Sequence, residues 1–316
     1  MMKNRRSFII GLKSTSLLPI EKKFLLQYKP WGVILFSRNI KSLIQAKKLT
    51  DQIRVIFKDK KYPILIDEEG GRVSRLKKIQ DNSVFSGSFF GKIYAKDKKK
   101  FISQYKFFIN QTSLILNKIG VNINTVPVLD LKRINSNNII SDRSFSNNPK
   151  IISDIGNYCI KNFKKNQIGT VIKHIPGHGL AKVDSHISTP IVKKPLNYLK
   201  KNDFFPFKKK KSFFAMTAHI IYDDIDKKHT ATHSKKVIKF IRNYIKFKNI
   251  IISDDVSMKS LKFSLEENTI KSFKAGCDLV LHCNGKYEEM LKVAVNSPII
   301  NNFIIKKTSE FYKILS

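Results

Sequence analysis

The stretch Gly169-Thr170-Val171-Ile172-Lys173-His174-Ile175-Pro176-Gly177-His178-Gly179 decides how this chain is read. An apolar, β-branched run stops abruptly in Lys and His, Pro and Gly interrupt the chain beyond it, and Asp184-Ser185-His186 comes five residues later. That pattern is a strand followed by a polar loop. α/β enzymes present their chemistry in this way, at the carboxyl ends of parallel strands.

Seven further apolar runs resemble the strand at 170–172: 7–12, 31–36, 62–66, 121–128, 212–218, 249–252 and 278–281. The spacing predicts helices at 20–28, 44–57, 101–119, 151–166, 235–247 and 269–275, with more helix at 286–295 and 299–314. Strand and helix alternate, and continuous apolar strands belong to a parallel sheet covered on both faces. Eight such units predict closure into one (β/α)8 barrel, an α/β fold of the TIM type. A doubly wound open sheet is the alternative, but no G-x-G-x-x-G follows the first strand and no Walker lysine motif occurs. No internal repeat or low-complexity linker marks a boundary, so residues 1–316 read as a single catalytic barrel domain.

The net charge of +36 would ordinarily point to a polyanion. Here the excess is nearly all lysine, scattered from Lys3 to Lys313 among abundant Ile and Asn. It reads as solvated surface, without RNA-binding aromatic patterns or zinc-finger spacing, so no nucleic-acid partner is expected. Cys159, Cys277 and Cys283 have neither disulfide-framework nor C-x-x-C spacing, which suits a reducing compartment. Arg5-Arg6 before a few apolar residues imitates an export signal but is too short, and no apolar run approaches a membrane span. The expectation is a cytoplasmic protein without membrane contact.

Polar residues follow six of the eight predicted strands: Asp67-Glu68-Glu69-Gly70-Gly71-Arg72, Asp130, Lys173-His174, His219, Asp254-Asp255 and His282-Cys283-Asn284. In a barrel all would meet at one rim. Of Asp254 and Asp255, one is expected to cap the following helix and the other to face the mouth, because successive strand side chains point oppositely. A carboxylate there can serve as nucleophile, base or metal ligand. Asp184 and His186, two apart, pair a carboxylate with an imidazole, which is acid and base equipment.

Pro176 and Gly177 exclude a helical metal pair of His174 and His178. A mixed zinc site of His174, His178, Asp184 and His186 stays open from spacing, as does a ligand-binding role for Lys173 and His174. Asp67 to Arg75 mixes carboxylates and arginines around a Gly pair suited to a sharp turn, a combination that sugars require. Arg143, in Ser141-Asp142-Arg143-Ser144-Phe145, either reaches the same cavity or is a surface arginine.

Together these residues resemble the family 3 glycoside hydrolases, and within them the single-domain bacterial β-N-acetylhexosaminidases of peptidoglycan recycling. The pattern K-H-(F/I)-P-G-H-G-x4-D-(S/T)-H is matched completely from Lys173 to His186. Further matches lie at Ile66 to Val73, Arg143-Ser144-Phe145, Ala218 to Tyr222 and Ser253 to Met258. The resemblance implies a retaining exo-β-N-acetylglucosaminidase that removes terminal N-acetylglucosamine from muropeptide-derived sugars. Asp254 would be the nucleophile, and His186, oriented by Asp184, the acid and base. Asp67, Arg75, Arg143, Lys173 and His174 would bind the sugar. It implies no metal or organic cofactor and a small carbohydrate as the partner; a monomer is expected. The first strand departs from the family pattern in ending Lys13-Ser14-Thr15 without an acidic residue, and the region after Asn284 is short. A phosphorylase using the same residues, and a basic, non-catalytic binding protein on a decayed barrel, are the competing readings.

Overall fold

The computed structural model describes residues 2–133, 140–181 and 188–315. Eight parallel strands close into a barrel: β1 Arg6–Gly11, β2 Pro30–Leu35, β3 Ile64–Ile66, β4 Ile123–Asn124, β5 Gly169–Ile175, β6 Phe214–Thr217, β7 Ile250–Asp255 and β8 Leu279–His282. Each strand pairs with its neighbours in the sequence, and β1 closes the ring on β8. This is the (β/α)8 architecture that the alternating runs predict. A second, two-stranded sheet, Ile191–Val192 with Ile221–Tyr222, lies outside the barrel.

Two apolar layers sandwich the barrel wall. Ile9, Ile34, Leu65, Ile123, Val171, Phe214, Met216, Ile250, Ile252, Leu279 and Leu281 fill the interior. Their alternate neighbours, such as Ile10, Val33, Ile66, Ile172, Ala215, Ile251 and Val280, face outward beneath the helices. The helix Asn302–Tyr312 closes the bottom of the barrel, with Phe311 edge-on to Phe214 at 5.4 Å and the Trp31 indole donating to Thr308 Oγ1 at 2.9 Å.

The predicted elements differ from the observed ones mainly at their ends. The run at 121–128 shrinks to the two residues of β4, because Pro127 lacks an amide for the ladder. The Gly87–Lys96 helix falls in a stretch read without structure. Its Gly87 and Gly91 are poor helix formers, yet a Cβ at Gly91 would lie 1.6 Å from the Phe145 carbonyl oxygen, so only glycine permits that packing. The helix expected at 299–314 begins at Asn302, where the Asn301 side chain accepts the Ile304 amide.

Candidate active site

Strand parity carries the apolar interior into a polar floor at the mouth. Leu65, Ile123, Val171 and Ile252 point inward, so Asp67, Thr125, Lys173 and Asp254, each two residues further on, point the same way. The hydrogen bonds agree. Lys173 Nζ donates to Asp67 Oδ1 at 3.1 Å, to Thr125 Oγ1 at 2.9 Å and lies 2.6 Å from Glu69 Oε1. Thr125 also donates to Asp67.

Two arginines brace the same carboxylates. Arg143 forks onto Glu69 through Nε and Nη2, both at 2.8 Å, and Arg75 Nη2 lies 3.4 Å from Asp67 Oδ2. Burial by itself disfavours the charged forms of Asp67, Glu69 and Arg143. The Lys173 and Arg75 charges nevertheless hold the Asp67 carboxyl well below its usual range, and Arg143 with Lys173 holds Glu69 at about 2. Against its own desolvation, Arg143 is raised by Glu69. The structure brings Asp67, Arg75, Arg143 and Lys173, four of the residues singled out in the sequence, together at the mouth. Sequence reading missed Glu69 as the carboxylate that joins Arg143 to Lys173, and the only signal was its place in the acidic run after β3.

Glu68, between them, faces away from the mouth. Its carboxylate accepts from Ser74 Oγ, the Arg75 and Leu76 amides and Asn82 Nδ2 at 2.6–3.1 Å, fastening the loop that presents Arg75. The turn depends on Gly70 and Gly71, whose φ angles are 81° and 62°; a Cβ at Gly70 would meet the Phe85 carbonyl oxygen at 2.3 Å.

The loop after β5 hangs on Asp130. That carboxylate contacts His174 Nδ1 at 2.6 Å and accepts the His174 amide at 3.2 Å and the His178 amide at 2.6 Å. Burial pushes the Asp130 carboxyl up, but the His174 and His178 imidazoles and the His178 amide more than offset it, and its net shift is downward. Burial together with the neighbouring His174 lowers the His178 imidazole to about 4. Gly177 and Gly179 let the turn lie flat: Cβ atoms there would approach the Asp203 and Leu131 carbonyl oxygens within 2.7 and 2.4 Å, and Tyr222 donates to the Gly177 carbonyl at 2.5 Å. Asp184 and His186 lie outside the described residues. Among the described residues no three His, Cys, Asp or Glu side chains group as a metal site would.

On β7 the two carboxylates divide as parity requires. Asp255 accepts the Ser257 amide and hydroxyl at 3.0 and 2.8 Å and shapes the turn after the strand. The helix Leu265–Ala275 is capped by Ser264 instead. Asp254 is half-buried, and its Oδ1 accepts the Asp255 amide at 2.8 Å. Burial raises its carboxyl, but His219, His174, that amide and Lys173 outweigh burial and leave it ionised below the usual range. The fully buried His219 was seen in the sequence only as a strand-end residue. Its Nδ1 meets Thr232 Oγ1 at 2.7 Å and its Nε2 the Asp255 carbonyl at 3.0 Å, and burial lowers its imidazole despite Asp254.

An ionised carboxylate at the mouth of a (β/α)8 barrel, facing a cation-braced polar floor, defines a barrel enzyme able to use carboxylate chemistry on a polar substrate. Residues 15–310 match the Glycosyl hydrolase family 3 N terminal domain, and the chain belongs to that family of glycoside hydrolases. The Beta-hexosaminidase of Hydrogenovibrio crunogenus is 32% identical over 283 residues, 87% of this chain and 78% of that protein. The Beta-hexosaminidase of Neisseria meningitidis serogroup C is 32% identical over 271 residues, 84% of this chain and 74% of that protein. The structure of native NagZ from Neisseria gonorrhoeae superposes with a TM-score of 0.87 at 28% identity, over 99% of this chain and 90% of that one. The same NagZ in complex with N-trifluoroacetyl-D-glucosamine gives 0.86 at 27% identity, over 99% of this chain and 90% of that one. No helix of the described residues is long and apolar enough to cross a membrane.

Proposed function

We propose that this β-hexosaminidase is a retaining exo-β-N-acetylglucosaminidase, which removes terminal non-reducing N-acetylglucosamine from muropeptide-derived sugars of the GlcNAc-anhydro-MurNAc type. The observation that carries the reading is Asp254, ionised and inward-facing on the floor that holds Lys173 and Asp67. In the reaction the Asp254 carboxylate attacks the anomeric carbon while His186 protonates the departing oxygen, and a covalent glycosyl-aspartate forms. Water then attacks the same carbon as His186 takes its proton, and two inversions give retention. Asp184 orients the His186 imidazole. Asp67, Arg75, Arg143, Lys173 and His174 bind the hydroxyl and acetamido groups of the sugar; Asp130 sets the His174 ring and Glu69 sets the Arg143 fork.

The relatives' names, and the NagZ complex with an N-acylated glucosamine, support the hexosaminidase specificity. We place the enzyme in peptidoglycan recycling in the cytoplasm, working as a monomer without metal or organic cofactor. The test is to follow hydrolysis of an aryl N-acetyl-β-glucosaminide and of GlcNAc-anhydro-MurNAc by proton NMR. The expected first product is the β-anomer of free N-acetylglucosamine from both. Initial release of the α-anomer rejects retention, release mainly as sugar 1-phosphate in phosphate buffer rejects the hydrolase, and turnover of the aryl glycoside alone rejects the muropeptide substrate.

A further inference from the structure

Beside the floor, at the seam where β1, β2 and β8 meet, two guanidinium groups share one aromatic ring. Phe36 follows β2 with the inward parity of Ile34 and packs on the interior core. The Arg38 guanidinium lies 4.7 Å from its centroid and that of Arg75 5.4 Å. Arg38 is clamped: Nε donates to the Leu12 carbonyl at 2.8 Å and Nη2 to the Cys283 carbonyl, at the ends of β1 and β8. One strand further round lies β7, with Asp254.

Arg38 has no carboxylate bonded to it among the described residues, and Arg75 shares Asp67 with Lys173. Arg38 is an exposed residue whose Nη1 makes no hydrogen bond among the described residues. The carboxylates whose charge reaches it are bonded elsewhere: Asp255 to Ser257, and Glu21 to the Lys13 and Leu18 amides. Arg75 is half-buried, its Nη1 makes no hydrogen bond among the described residues, and its one carboxylate contact, to Asp67, is long at 3.4 Å. Two like charges are therefore held near each other, rigid and with open donors. A surface arginine loses rotamer freedom when it is fixed, so a fixed one is preorganised for a planar, bidentate anion.

We propose that Arg38 and Arg75, stacked on Phe36, form the seat for a carboxylate borne by the leaving group, so that the enzyme selects anionic aglycones. The inference rests on the glycosidase reading. Arg75 would bridge the two halves of the substrate, with Nη2 towards Asp67 on the sugar side and Nη1 towards the aglycone. Arg38 would contact the aglycone alone.

The experiment compares kcat/KM for meta-carboxyphenyl and meta-carbamoylphenyl N-acetyl-β-glucosaminides, which share a shape and differ in charge. The expected result is a preference of about tenfold for the carboxylate at low salt, as one charge-assisted contact gives, which shrinks at high salt. Arg38→Gln keeps a donor for the Leu12 carbonyl but loses the charge, and should abolish that preference. Equal rates on both substrates in the wild type, or a preference that survives both salt and Arg38→Gln, would overturn the proposal while leaving the glycosidase intact. Should Arg38→Gln fail to fold, the salt dependence of the wild-type ratio decides alone. No turnover of either substrate overturns the glycosidase reading, and this inference falls with it.

Discussion

At the bottom of the barrel Phe214 meets Trp31 and Phe311 edge to face at 5.5 and 5.4 Å, and a buried Arg5 bonds Asp59 and Tyr312 beneath them. At the mouth, the inward positions hold Asp67, Thr125, Lys173 and Asp254 instead. The strands are the same, and only a few residues separate the layers. The bottom uses the helix Asn302–Tyr312 to exclude water and contributes stability. The mouth packs like charges and opposite charges at close range, an arrangement that desolvation makes costly unless every partner is present. Substitution of Phe311 should therefore cost stability alone, and substitution of Asp254 chemistry alone.

Asp254→Ala should cut kcat/KM on an aryl N-acetylglucosaminide on the order of 10^4-fold, as removal of a nucleophile does, with little change in thermal stability. Comparable activity in this variant would show that the chemistry of the mouth does not depend on this carboxylate. Lys173→Met should leave Asp67 and Glu69 facing each other without their shared cation, costing about 3–5 kcal/mol in urea unfolding and most of the activity. A stability loss under about 1 kcal/mol, the size typical of a surface pair, would mean that the arginines suffice. Phe311→Ala, at the opposite end, should cost about 3–5 kcal/mol as well, but leave kcat per folded molecule intact. A matched loss of kcat would show that the two ends are coupled.

His186→Ala should slow substrates with poor leaving groups more than activated aryl glycosides, because the latter need less protonation. The smallest expected effect is on acid stability. Glu69 sits at about 2 when folded and at about 4.3 when unfolded, so its contribution is complete above the unfolded value and is lost as pH falls through the folded one. Glu69→Gln should flatten the stability profile between about pH 4.5 and about pH 2. His178, lowered to about 4, adds a rise in stability between about pH 4 and about pH 6.5, since the unfolded imidazole binds the proton more readily. A His178 variant with an unchanged slope in that window would contradict the burial argument.

Much of the fold and the floor was legible in the chain because the strands alternate strictly. Ile250, Ile252 and Asp254 share one face of β7, and Ile251, Ser253 and Asp255 share the other, so the split between a mouth carboxylate and a turn carboxylate follows from counting. Asp67 and Lys173 follow from the same parity. What parity does not reach is the loops. Whether Glu68 or Glu69 faces the floor depends on how the Gly70-Gly71 turn closes. The joint hold of Asp130 on His174 and His178 depends on a fold-back between separate strands. The Gly87–Lys96 helix is stabilised by close backbone packing against Phe145, which local propensity does not encode. The Asp184 and His186 assignment continues to rest on the sequence pattern, as both lie outside the described residues.

Covalent bonding of the inward carboxylate of β7 to the sugar is tested directly by incubation with a slow, fluorinated N-acetylglucosaminide, followed by proteolysis and mass spectrometry of the peptides. One sugar per chain is expected, on the peptide containing Asp254 and localised to that residue. An adduct on Asp255, Asp67 or any other side chain, or continued turnover without any adduct, would contradict the assignment of Asp254 as the nucleophile.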